Sequence, residues 1–211
     1  MLKVGYLVPF MVLKGLPDYD SYLTTLINKG ILAQLPKKYA LRQYKIGETG
    51  WASIFGIKGS RIILSQKSPQ YVRKILEYLL SPLIQEEKIK FKRVAKVAGS
   101  HFYKVAVESS NGVSGKEIVQ MCLPYFKGKI KDYVDEKIIL VKYSKDIKQY
   151  VINSLIPAPL EQIEKVIHIK DMNETNVYVD EKYAGLFLGA KGKNAATASK
   201  LTGIRIIIIP C

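Results

Sequence analysis

The residues with the plainest chemical use lie late in the sequence. Gly189, Ala190, Lys191 and Gly192 form a G-x-x-G turn, and Lys193 and Asn194 follow it. A short apolar stretch (184–188) precedes the turn and an alanine-rich stretch (193–202) follows it, so the turn is expected between two helices. Glycine at both ends admits backbone angles that a Cβ forbids and lets another chain approach closely. Lys193 and Asn194 open the second helix in this reading. The first amides of a helix have no partner within it, and the dipole there favours negative charge. With Lys191 and Lys193 beside them, those amides make a cradle for phosphate oxygens. Gly203 stands where a left-handed C-cap belongs, and 205–209 follows as a buried strand. A nucleoside-triphosphate loop is the competing phosphate site. It requires G-x-x-x-x-G-K followed by Ser or Thr, whereas Asn194 follows Gly192-Lys193 and Phe187 stands five residues before Gly192. The turn is read as exposed, so aspartates at Gly189 and Gly192 are expected to leave the fold intact.

Other chemistry-bearing residues form no such constellation. His101 and His168 lie on strand or turn segments with no Cys or carboxylate at metal spacing, so no metal site and no cofactor are expected. Asp135-Glu136 and Asp180-Glu181 are adjacent pairs at strand–helix junctions and read as solvated turns, not as an acid/base couple. No catalytic residue is assigned, and the chain reads as a binding protein, not an enzyme. Cys122 and Cys211 are far apart, which suits a reduced, cytoplasmic protein without a disulfide framework; Cys122 reads as core.

A formal net charge of +15 over 211 residues calls for a polyanionic partner: nucleic acid first, an anionic membrane surface second. The charge divides unevenly, +6 over 1–66, +7 over 67–143 and +2 over 144–211. The apolar runs are short and interrupted, so no membrane span is expected. The start, 1–9, lacks a long apolar core and a small-residue cleavage site, so it is not expected to be a signal peptide.

The elements that must position the turn follow from periodicity. Strands are expected over 2–13, 22–27, 31–35, 51–57 and 61–64, with turns at Asn28-Lys29-Gly30, at Lys45–Gly50 and in the hairpin Lys58-Gly59-Ser60. Five short strands with glycine turns suit a small barrel of OB type. Tyr6, Phe10, Tyr22, Trp51 and Phe55 are candidates for an aromatic platform on it, and each also reads as core. Ser68-Pro69 starts a helix and Ser81-Pro82 stops it. A basic strand (88–97), a second strand (102–108), a loop at Ser110-Asn111-Gly112, helices over 115–123 and 129–134, and a strand (137–143) complete an α-β-β-α-α-β unit. The same order then repeats: a helix capped by Ser144, strands over 164–170 and 176–180, the helix–turn–helix, and the last strand. A repeat of about 75 residues argues for two copies of one domain. The first copy carries Pro124-Tyr125-Phe126-Lys127 where the second carries its glycine turn. Lys127, Lys129 and Lys131 remain there as secondary phosphate-binding candidates.

A G-x-x-G turn between two short helices, with lysines in and after it, resembles the KH RNA-binding module, whose loop clamps the backbone of about four nucleotides. The fold expected is therefore multi-domain: an all-β OB-fold barrel (1–66) and two α+β KH domains of type II (67–143, with its G-x-x-G lost, and 144–211, with it intact). Three stretches resemble the NusA family of transcription elongation, termination and antitermination factors. They are Gly47-Glu48 and Trp51–Ile54 running on to 62–72; Ala95–Ser100 with Lys104–Val107; and Tyr178–Glu181 through the glycine turn to 199–203. The resemblance implies single-stranded RNA binding at Gly189, Ala190, Lys191, Gly192, Lys193 and Asn194, and partnership with RNA polymerase or other transcription factors. It also implies that the family's N-terminal polymerase-binding domain has no counterpart here, since the barrel begins almost at Met1. A monomer without membrane contact is expected. A ribosome-associated or RNA-assembly KH protein, and a structural adaptor that binds no RNA, are the other readings.

Overall fold

The computed structural model describes residues 2–27, 29–109 and 112–211. The turn residue Asn28 and the loop residues Ser110 and Asn111 lie outside the described residues. By packing, the chain divides into two compact units: 1–79 with 128–135, and 80–127 with 136–211.

The first unit is built on a closed five-stranded barrel of β1 (Leu7–Leu16), β2 (Ser21–Leu26), β3 (Ile31–Pro36), β4 (Thr49–Lys58) and β5 (Arg61–Ser65). The order around it is β1-β2-β3-β5-β4, and a short parallel pairing at Gln34 and Ile63 closes it. Alternation sends Val8, Phe10 and Val12, Tyr22 and Leu26, Ala33 and Leu35, Ala52 and Ile54, and Ile62 and Leu64 into one core. Irregular registers between Val12 and Lys14 and between Ile54 and Gly56 mark the bends that closure needs. Helix α1 (Pro69–Leu79) follows, its first turn capped by Ser68 Oγ, which accepts the Tyr71 N–H at 3.0 Å. Residues 128–135 also belong to this unit. Only Ile130–Asp132 is helical there, as one 3-10 turn, where a helix over 129–134 was expected.

The second unit contains two three-stranded sheets of the same topology. In one, β6 (Ile89–Ala95), β7 (Phe102–Ser109) and β8 (Lys137–Lys142) lie in that order. In the other, β9 (Ile163–Ile169), β10 (Glu174–Val179) and β11 (Arg205–Pro210) do the same. In both, the middle strand runs antiparallel to the first and parallel to the third. The helices are α2 (Ser81–Gln85), α3 (Gly115–Phe126), α4 (Ile147–Ser154), α5 (Glu181–Leu188) and α6 (Lys193–Thr202). Ser81-Pro82 thus starts a short helix as well as ending α1, because proline suits the first turn. Asp146, not Ser144, caps α4: its Oδ1 accepts the Gln149 N–H at 2.9 Å. Ser114 and Glu117 form a reciprocal capping box on α3.

Helices α4 and α6 pack on the sheet of β6, β7 and β8 as well as on their own sheet. Ala95, Ala106, Val141, Tyr150 and Leu201 form the core between them. β7 is therefore buried on both faces from Tyr103 to Val107. Among the described residues, no helix is long and apolar enough to cross a membrane.

Candidate nucleic-acid interface

The glycine turn is a compact reversal between α5 and α6. Asp180 caps α5 by accepting the Lys182 N–H at 2.9 Å, and the helix ends when the Gly189 N–H reaches Gly185 O at 2.8 Å. Gly189 has φ 70° and ψ 171°, a combination that only glycine adopts readily. Ala190–Gly192 makes a single 3-10 turn in which Lys191 (φ 54°) and Gly192 (φ 71°) are both left-handed. A left-handed lysine is costly, and its neighbours hold it there: Gly192 N–H donates to Gly189 O at 2.9 Å and Lys193 N–H to Ala190 O. Ala190 and Lys191 are exposed, and no side chain caps α6 at Gly192. The turn thus presents a lysine and an uncapped helix start to solvent, the arrangement that receives anions.

The two glycines differ. A Cβ at Gly192 would enter open space, whereas one at Gly189 would lie 2.7 Å from Asn194 Cβ. An aspartate at Gly189 is therefore strained against Asn194, a cost that the expectation of a freely exposed turn does not include. Asn194 is also placed differently from what its position after the turn implied. It is 5% exposed, and its Nδ2 donates to Leu155 O at 2.9 Å and to Phe187 O at 3.0 Å. Its side chain ties the carbonyl ends of α4 and α5 to the start of α6, and it faces the interior, not a ligand.

Lys193 is half-buried, and its Nζ donates to Gly99 O in the turn between β6 and β7. Two further ties join α6 to β6 and the residue after it: Lys200 Nζ donates to Lys96 O at 2.8 Å and Arg93 Nη1 to Leu201 O at 3.5 Å. Between α4 and α6, Tyr150 Oη donates to Leu201 O at 3.2 Å. Deepest is Lys104 on β7, fully buried, which donates to Ser154 O and, at 3.5 Å, to Asn194 O. Sequence reading missed Lys104. Its one available signal was a lysine in an otherwise apolar strand, Tyr103-Lys104-Val105-Ala106-Val107.

Among its described residues, the first repeat offers no equivalent turn. α3 runs through Pro124 to Phe126, so the residues expected to replace the glycine turn are helical. Lys127 is exposed at the C-cap of α3 in the second unit, and Lys129 and Lys131 are exposed on the segment of the first unit. On the barrel, Phe10 and Tyr22 are core, while Tyr6, Trp51 and Phe55 are exposed, with Phe55 tilted against Tyr39 at 5.0 Å. Burial pushes the Cys122 thiol up to about 11, which makes it unreactive at neutral pH. Among the described residues, no three His, Cys, Asp or Glu side chains are placed to hold a metal ion.

No family model matches the chain. Individual relatives do. The chain is 34% identical over 156 residues to the transcription termination/antitermination protein NusA of Rickettsia prowazekii, covering 72% of this chain and 30% of that protein. It is 29% identical over 195 residues to NusA of Borreliella burgdorferi, covering 86% of this chain and 38% of that protein. It is 31% identical over 176 residues to NusA of Mycobacterium bovis, covering 80% and 46%. The chain thus spans from under a third to just under half of the length of these relatives. At these identities and coverages the chain is a NusA-like family member.

Proposed function

We propose that this chain binds single-stranded RNA and acts on transcription elongation, termination or antitermination. The architecture reads as an OB-type barrel (1–66) followed by two KH units of type II (67–143 and 144–211), the first without its G-x-x-G. The closed barrel and the repeated strand order support that reading. The observation that carries the function is the turn itself: Gly189, Lys191 and Gly192 at positive φ, Ala190 and Lys191 exposed, and α6 uncapped. Gly189, Ala190, Lys191 and Gly192 clamp the RNA backbone through the close approach that the two glycines allow and through the Lys191 ammonium. Lys193 adds charge beside them, and Asn194 acts through the position it gives α6. Lys127, Lys129 and Lys131 serve as a weaker, second contact. RNA polymerase or another transcription factor is the protein partner, in the cytoplasm, and the role is binding, not catalysis.

The test is binding of single-stranded RNA, duplex RNA and single-stranded DNA across a salt series. Single-stranded RNA is preferred, and log affinity falls linearly with log salt as phosphate contacts release counterions. Lys191→Asp with Gly192→Asp places a negative charge where backbone space is open and left-handed aspartate is tolerated. It lowers affinity about a hundredfold while the circular dichroism stays that of the wild type. Unchanged RNA affinity in the folded double variant refutes the clamp.

A further inference from the structure

The support beneath the glycine turn is charged where packing alone would call for an apolar side chain. Lys104 sits mid-strand in β7, fully buried. Its ammonium donates to the last carbonyl of α4, Ser154 O, and lies 3.5 Å from Asn194 O in the first turn of α6. A helix C-terminus favours a cation; a helix N-terminus opposes one. Among the described residues, the elements packed around it bring no counter-ion. β6 contributes Ala95 directly alongside, flanked by Arg93, which is bonded to Leu201 O, and Lys96, which is paired with Glu136. β8 contributes Ile139 alongside it, α4 contributes Ser154 and α6 contributes Asn194. Arg93, Lys96 and Lys193 are thus engaged by Leu201 O, Glu136 and Gly99 O, and no acidic residue lies in β6, β8, α4 or α6. Burial holds the Lys104 ammonium down at about 7. A buried cation without an anion is costly, and the turn that begins α6 precedes Asn194 by less than about one and a half helical turns of chain.

We propose that Lys104 is a positioning residue whose ammonium is the buried counter-charge for an RNA phosphate held at Gly189–Gly192, so that RNA binding and protonation of Lys104 favour each other. This rests on the clamp reading given above. The sign follows from linkage. A bound phosphate favours the charged lysine and raises its pKa in the complex above its value in the free protein. Affinity is therefore full below the free-state pKa near 7, declines as pH rises through it, and levels off above the pKa of the complex.

The experiment uses the full chain and an oligoribonucleotide of about eight adenines and cytosines, twice the four nucleotides one loop clamps, whose bases do not titrate above neutrality. Affinity is measured at constant ionic strength from about pH 6 to about pH 9, spanning the expected transition. The lysine 13Cε resonances are titrated with and without the oligomer. The wild type loses about tenfold in affinity across the range, and the Lys104 pKa rises on binding by the matching amount. Lys104→Met binds more weakly at the acid end and shows no such slope, while His101→Gln and His168→Gln keep it. A wild-type slope retained in Lys104→Met overturns the inference, as does tight wild-type binding that ignores pH. Should Lys104→Met fail to fold, the wild-type resonances decide: an equal Lys104 pKa in free and bound protein also overturns it. A wild type that binds RNA at no pH refutes instead the clamp reading on which the inference stands.

Discussion

The two sheets of the second unit place a polar side chain at the same point. Lys104 on β7 lies between Ala95 and Ile139, and Asn176 on β10 lies between Ile167 and Ile207. In the first sheet that face is covered by α4 and α6, and Lys104 becomes a tie to both helices. In the second sheet the corresponding residues, Ile167, Tyr178, Ile207 and Ile209, are only half-buried, and Asn176 Oδ1 has no hydrogen-bond partner among the described residues. The helical halves differ in the opposite sense. The first repeat extends α3 to Phe126 and follows it with one 3-10 turn at Ile130–Asp132. The second stops α5 at Leu188, turns through two glycines and builds a ten-residue α6. One topology thus supplies a supporting sheet in one copy and an exposed turn in the other. The proposed RNA clamp stands on the second copy but is held in place by side chains of the first.

The largest expected effect separates the two glycine positions. Gly189→Ala forces a Cβ against Asn194 and lowers stability by about 3 kcal/mol. Gly128→Ala, at φ 84° with open space around it, costs about 1 kcal/mol. Urea unfolding of the two variants measures the difference, and equal losses would mean that the turn is not locked to Asn194. A smaller effect is expected from the lysines of the first repeat. Changing Lys127, Lys129 and Lys131 to Ala together lowers RNA affinity about threefold and flattens the salt dependence by about one phosphate contact. A loss as large as that of the Lys191→Asp, Gly192→Asp variant would move the main RNA contact to the first repeat.

Much of this arrangement was legible in residue order. The five barrel strands, the cap at Ser68, the left-handed Gly203 and the turn between two helices all follow from local signals that depend on a few neighbouring residues. What was hidden depends on packing. Asn194 reads as exposed because it follows a polar turn, yet the close approach of Gly189 draws it inward to cap two other helices. Pro124 reads as a helix stop, yet α3 continues past it to the Lys127 N–H, which donates to Leu123 O at 2.9 Å. The residues at 205–209 read as a buried strand, but β11 is an edge strand and only Ile206 is buried. Lys104 has no reading of its own within the expected strand 102–108, because nothing local shows that helices from the next repeat cover its face.

The most direct test of the division between the repeats is an amide chemical-shift map of the full chain as a short single-stranded RNA is added. The largest shifts are expected at Gly189, Ala190, Lys191, Gly192 and Lys193, with smaller ones at Lys127, Lys129 and Lys131. Shifts concentrated on 127–131 or on the barrel, with the glycine turn unmoved, would contradict that division.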